Sequence, residues 1–207
     1  MTPGICDLDF KRVRVIVFDL GGVLIDIDFN RSLKIWAQAS GQSQPLLKQR
    51  FEIDRAYREH EIGTLSFSQY AQHLRQRLTI QLDDATLLGG WNALLGGALP
   101  GAGQLLARCA QRYPCYLFSN TNASHYAQWS RHQAKVLDPL RGIFTSFELG
   151  LRKPDPQAFK EIAKRIGCAP QDILLFDDTQ ENINGARDLG LQAVNVNGPE
   201  KILEILF

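Results

Sequence analysis

The chain lacks an excess of either charge: 23 Lys and Arg stand against 22 Asp and Glu, a formal net charge of +1. That balance, with no run of like charge, argues against a nucleic-acid surface or a charged interaction tail. No apolar run approaches the length of a membrane span, and Met1–Arg12 has no apolar centre of the kind a signal peptide needs. The expectation is a cytoplasmic protein with neither a membrane nor a nucleic-acid partner. Cysteine is sparse. Cys6, Cys109, Cys115 and Cys168 have no metal-type spacing, and three of them fall in or beside apolar patterns, which favours reduced structural thiols over a redox or zinc site. Internal repeats and low-complexity segments are also missing. What remains is an ordinary globular composition, 44% hydrophobic and 22% charged over 207 residues, enough for a core domain with a smaller inserted one.

The most informative stretch is Val13-Arg14-Val15-Ile16-Val17-Phe18-Asp19-Leu20-Gly21-Gly22-Val23-Leu24. Its β-branched and aromatic run reads as a buried strand stopped by glycines, which leaves Asp19 at the strand's C-terminal end. In an open α/β sheet, ligands bind in the crevice beyond those ends, so Asp19 is either placed for chemistry or closes a turn before Gly21-Gly22.

After this strand, Asp26-Ile27-Asp28-Phe29-Asn30 leads into a helical pattern with Leu33, Trp36, Ala37 and Ser40 on one face and Gly41 as a stop. Leu47 and Phe51 suggest a helix through roughly Tyr57, and Gly63 breaks the pattern. Ser66 and Gln69 form a capping box before Phe67, Tyr70, Ala71, Leu74 and Leu78. Asp83 or Asp84 caps a further helix carrying Leu87, Leu88, Trp91, Leu94 and Leu95. The expectation is about four helices with no strand among them, ended by a Gly96–Gly101 linker: a helical subdomain over 29–96 inserted into a core made of 1–28 and 97–207.

From Gly101 the pattern alternates. A helix marked by Leu105, Leu106 and Cys109 precedes the strand Cys115–Phe118, and Ser119-Asn120-Thr121-Asn122 opens a helix through Tyr126 and Trp129. Ile143–Thr145 reads as a strand. Lys153-Pro154-Asp155-Pro156 then starts a helix with Phe159, Ile162, Ala163 and Ile166 inward and Gly167 at its end. Ile173–Phe176 is a strand ending in Asp177-Asp178, and Ala193–Val196 a last one. The fold class is α/β: a doubly wound, mainly parallel Rossmann-like sheet with an inserted helical-bundle cap.

Right-handed crossovers put Asp19, Ser119-Asn120 and Asp177-Asp178 on one edge of that sheet, with Lys153 approaching it from another connection. Clustered carboxylates raise one another's pKa unless a cation joins them, and a hard cation on carboxylates, with room for substrate oxygens, fits magnesium. Lys153, the Ser119 hydroxyl and the helix opening at Asn120–Asn122 supply the environment a phosphate takes. Taken singly, each feature also reads as a helix cap or a solvated charge. Their common placement at successive strand ends is what those readings leave unexplained.

Phe18-Asp19-Leu20-Gly21-Gly22-Val23-Leu24, Ser119-Asn120, Leu151-Arg152-Lys153-Pro154 and Phe176-Asp177-Asp178 resemble the four ordered motifs of the haloacid dehalogenase superfamily, over nearly the whole chain and with a cap after the first motif. Asp26–Arg31, Ser119–Asn122 and Arg152–Pro154 are most similar to a bacterial branch that includes an alpha-D-glucose-1-phosphate phosphatase. The resemblance implies Asp19 as nucleophile, forming an aspartyl-phosphate. It implies Mg2+ on Asp19, the Gly21 carbonyl and Asp178, with Asp177 in support. Ser119, Asn120, Gly22 and Lys153 would bind the substrate phosphoryl group, and Lys153 would also stabilise the transition state.

Two positions depart from the superfamily pattern. Gly21 stands where its phosphatases usually carry a second Asp as general acid, a group worth about 10²–10⁴-fold in rate; His125, Asp26, Asp28 or solvent would have to substitute. Asn182 stands where another acid is common, which weakens metal binding. The leading expectation is a magnesium-dependent phosphatase of a small phosphorylated metabolite, such as a sugar phosphate. A metal-independent 2-haloacid dehalogenase and a catalytically idle phosphate- or partner-binding protein are the alternatives. Cap residues Tyr57, His60, Glu61 and Trp91 are candidates to line the substrate side, although a Trp or Tyr at helical spacing is more often cap core, and the cap would close over the site.

Overall fold

The computed structural model describes residues 8–207, so Cys6 and the start of the Met1–Arg12 segment lie outside it. Five strands form one parallel sheet: β1 (Val15–Phe18), β4 (Cys115–Ser119), β5 (Gly142–Thr145), β6 (Ile173–Asp177) and β7 (Gln192–Asn195), in the order β5-β4-β1-β6-β7. Alternation along the strands decides which layer each side chain enters. Ile16, Phe18, Leu117, Leu174 and Phe176 pack on one face, while Val15, Val17, Phe118, Ile173 and Leu175 pack on the other. Helices α6 (Ala102–Ala110), α7 (Ala123–His132), α8 (Ala134–Leu137) and α12 (Pro199–Leu206) contribute to the first face, and α10 (Pro156–Ile166) and α11 (Gln180–Asp188) to the second. A short α9 (Ser146–Leu149) follows β5. Because the chain runs from β1 to β4 and β5 on one side, then returns to β6 and β7 on the other, the direction reverses at β1. That reversal opens a crevice at the strands' C-terminal ends.

Between β1 and β4 lie α1 (Phe29–Ser40), α2 (Gln44–Arg50), α3 (Arg55–Glu61), α4 (Phe67–Leu78) and α5 (Asp84–Asn92), with an apolar interior of their own. The Ser66–Gln69 capping box and the Asp83 cap are formed. Three local features differ from the pattern reading. Leu47 and Tyr57 lie on two helices, not one: Phe51 leaves α2 in an extended conformation and Asp54 caps α3 by accepting from the Tyr57 amide. The expected Gly96–Gly101 linker begins as strand β3 (Leu95–Ala98), paired antiparallel with β2 (Ile25–Ile27). A Gly-Gly pair lacks the side chains that announce a strand, yet a two-strand stem needs only backbone partners. The residues at Ser119–Asn122 do not open the helix at once either: α7 begins at Ala123, with the Asn122 side chain accepting from the His125 amide.

The α1–α5 interior is aromatic. Trp91 packs with Trp36 at a centroid distance of 6.3 Å, Tyr70 at 5.1 Å and Tyr57 at 5.7 Å, and against His125 of α7 at 4.7 Å. A Cβ at Gly90 would lie 2.1 Å from Trp36 Nε1, so only glycine lets α1 and α5 approach this closely. The Trp36 indole uses that space to donate to the Leu87 carbonyl at 3.1 Å. No helix among the described residues is long and apolar enough to cross a membrane. Cys109 and Cys115 are buried free thiols, their pKa values pushed up to about 12 by burial.

Candidate active site

The ends of β1, β4 and β6 deliver polar groups to the crevice. Asp19 follows β1, its amide donating to the Phe176 carbonyl of β6 at 2.8 Å. Lys153, reached through α9 after β5, runs its side chain into the core, where Nζ is fully buried among three oxygens: Asp177 Oδ2 at 2.6 Å, Asp19 Oδ1 at 2.7 Å and the Phe118 carbonyl at 2.8 Å. A buried ammonium with all three protons satisfied is a fixed positive charge. Burial alone would lower its pKa, but the Asp177 and Asp19 carboxylates outweigh burial and hold it above the ordinary lysine value.

Asp177 is locked on every side. Besides Lys153, its carboxylate accepts from the Thr179 amide at 2.9 Å and from Asn182 Nδ2 at 2.9 and 3.1 Å. The Asn182 amide thus donates to the acid that orients Lys153, which a carboxylate at that position could not do. Asp178, the next residue, is exposed and lines the cavity beside Gly22. Gly22 makes this possible: its φ of +71° is in the left-handed region, and a Cβ there would lie 2.3 Å from Asp178 Oδ2.

The carboxylates of Asp19, Asp177 and Asp178 offer ligand oxygens all within 4.8 Å of one another. Three carboxylates against the single Lys153 ammonium leave two negative charges when all are ionised, and Asp19 responds. Its burial, opposed by Lys153 and reinforced by Asp177 and Asp178, pushes its pKa up to about 7. Asp178 is also raised, mainly by burial and then by Asp177. This donor set of hard oxygens with a charge deficit suits a divalent hard cation. Magnesium therefore fits the residues present.

The sequence-based site residues largely converge. Asp19, Gly21, Gly22, Ser119, Asn120, Lys153 and Asp178 line one cavity of about 470 Å³. Asp177 stands behind Lys153. Ser119 is buried, and its hydroxyl makes no hydrogen bond to a described residue. The Asn120 side chain accepts from the Lys153 amide and donates to the Lys153 carbonyl, each at 2.9 Å, so it fixes the lysine's backbone. The three candidate substitutes for the missing acid are committed elsewhere. Asp28 caps α1 through Asn30, and Asp26 pairs with Arg31. His125 bonds Asn122 at 3.0 Å and the Trp91 carbonyl at 3.1 Å, and burial pushes its pKa down to about 3, so it is neutral.

Of the four cap candidates, Tyr57 and Glu61 reach the cavity wall, while His60 and Trp91 are turned into the aromatic interior. Sequence reading missed Arg152. From the core it donates to buried Glu61 Oε2 at 2.8 Å, joining α3 to the Lys153 connection. Its position beside Lys153 was the available signal; the partner 91 residues away was not visible.

The haloacid dehalogenase-like hydrolase family model matches residues 13–190 of the chain. A D-ribitol-5-phosphate phosphatase from Bacteroides thetaiotaomicron is 25% identical over 189 residues, covering 87% of this chain and 90% of its own. A haloacid dehalogenase family enzyme from the same organism, solved with magnesium and inorganic phosphate, superposes with a TM-score of 0.77 at 25% identity, covering 88% and 93% of the two chains. An L-2-haloacid dehalogenase from Xanthobacter autotrophicus shares the fold at a TM-score of 0.67 and 17% identity, covering 89% and 77%.

Proposed function

Since the chain belongs to the haloacid dehalogenase-like hydrolase family, we propose that it is a magnesium-dependent phosphatase of a small phosphorylated metabolite, such as a sugar phosphate, working through a phosphoenzyme on Asp19. The observation that carries this reading is the acidic cluster of Asp19, Asp177 and Asp178 built around one buried lysine. A dehalogenase acting without metal has no use for that uncompensated charge. The named phosphatase relative and the magnesium and phosphate in the similar structure support the same choice.

Asp19, the Gly21 carbonyl and Asp178 would hold the ion, which when bound offsets charge on the phosphoryl oxygens. Lys153 holds Asp19 by one carboxylate oxygen, which fixes the direction of attack. The same ammonium, with the Ser119 hydroxyl and the backbone N–H groups of Gly21 and Asn120, receives the transferring group's negative charge. Asp177 and Asn182 keep Lys153 charged and in place, and Asn120 keeps its backbone there. Tyr57 and Glu61 from the cap and Arg152 from the core line the cavity where the leaving group would sit. An assay with a nitrophenyl phosphate tests the reading: turnover should require magnesium and fall by at least ~10⁴-fold in Asp19→Asn. Turnover that survives in the variant, or halide release from 2-haloacids without metal, would reject it.

A further inference from the structure

Gly21 is the position at which a second acid would project toward the leaving group, and the structure shows why this chain carries none. A Cβ built on Gly21 lies 2.9 Å from Ile27 Cγ1 and 3.6 Å from Ile27 Cδ1, so the space is filled by an apolar side chain. Ile27 is not free to withdraw. It closes β2, pairs with Leu95 across the stem, and packs against both the sheet core and the α1–α5 interior. The loop before it is braced as well: the Gly22 amide donates to the Ile25 carbonyl and the Ile25 amide to the Leu20 carbonyl, both at 2.9 Å. Glu61 and His125, the buried proton donors at the cavity, are engaged, and the lining carboxyl of Glu181 is exposed. Glu61 is held by Arg152 and by the Tyr57 hydroxyl, and His125 spends both ring nitrogens on Asn122 and Trp91.

We propose that this site expels its leaving group with no side-chain acid, Ile27 standing where a donor on residue 21 would reach. Its substrates are therefore phosphate esters of intrinsically acidic hydroxyls, such as phenolic, enolic or hemiacetal phosphates, in preference to those of simple alcohols. The inference rests on the phosphatase reading. In the first step an Asp19 carboxylate oxygen bonds to phosphorus as the ester P–O bond breaks, and its electron pair leaves on the ester oxygen, which takes a proton from solvent. In the second, a water oxygen bonds to phosphorus, the P–O bond to Asp19 breaks, and the water's proton passes to solvent. With no positioned donor, the first step bears the full cost of charge on the leaving oxygen, and that cost follows leaving-group acidity.

The experiment measures kcat/KM with magnesium for nitrophenyl, chlorophenyl, phenyl and benzyl phosphates, because that ratio reports the step that expels the leaving group. The expected result is a steady fall along the series, by ~100-fold or more from end to end. The double variant Gly21→Asp, Ile27→Ala should gain mainly on benzyl phosphate and flatten the series. A flat series in the native protein overturns the inference. So does selective loss of the slow substrates in Glu61→Gln or in Glu181→Gln, either of which would reveal a hidden acid. If no aryl phosphate is turned over with magnesium, the phosphatase reading itself fails; robust turnover with a flat series defeats only this inference.

Discussion

The strand-end site and the interior of α1–α5 solve opposite problems. At the strand ends, three carboxylates cluster around one buried ammonium that is hydrogen-bonded to two of them, and two negative charges are left without a partner when all are ionised. In the helical block, Trp36, Tyr57, Tyr70 and Trp91 fill the space with rings, and burial lowers the pKa values of His60 and His125 beside them. The first region stores electrostatic free energy that a bound cation and an anionic substrate can release. The second stores packing, and gives a stable wall against which a leaving group can be placed. Chemistry and shape are thus separated between two regions, and the places where they touch are few: Glu61 with Arg152, and His125 under Trp91.

Replacing Lys153 is the strongest way to break the contrast. Lys153→Met leaves Asp19 and Asp177 facing each other without their cation. Removing one partner of a buried pair costs about 3–5 kcal/mol, and loss of the charge that meets the transition state costs about 10²–10³-fold in kcat. Chemical denaturation and steady-state kinetics should show both losses together; a stable variant with native kcat would mean the lysine is ornamental. A smaller effect sharpens the boundary from the other side. Unfolded His125 takes a proton at its ordinary pKa near 6.5, whereas in the fold it stays neutral down to about 3. In that window the unfolded state binds more protons, so stability falls as pH drops. The imidazole packs on the Trp91 ring and bonds the Trp91 carbonyl and Asn122, and no carboxylate bonds it to offset the charge. Between pH 6.5 and 4.5 this one group should cost the native protein up to about 2–3 kcal/mol. Denaturation of His125→Gln over the same range should lack that increment. Equal acid sensitivity in both proteins would contradict the assignment.

The same contrast explains what the sequence made legible. Asp19 and Asp177-Asp178 could be located because each interrupts an apolar strand at its end, and a parallel sheet brings such ends to one edge, which Lys153 approaches from the start of a helix on another connection. The helix caps at Ser66, Asp83 and Asp155 were readable for a similar reason, since a cap uses residues three apart or fewer. Partnerships across long separations were not. Nothing local in Arg152 indicates Glu61, and nothing in Asn120 indicates that its amide will clamp the Lys153 backbone. Gly96-Gly97 carries no strand signature because its pairing comes from the backbone of Ile25–Ile27. His60 lies on α3 with Tyr57 and Glu61, Trp91 lies on α5, and only the packing of five helices decides which of them face the cavity.

The central claim is that Asp19 carries the phosphoryl group between the two half-reactions. Protein mixed with excess nitrophenyl phosphate and magnesium, quenched in acid within a turnover and digested, should yield the Asp19 peptide with the added mass of one phosphoryl group. Asp19→Asn should yield none. Turnover at a normal rate with that peptide unmodified at every quench time, or a phosphoryl group found on another residue, would contradict the account.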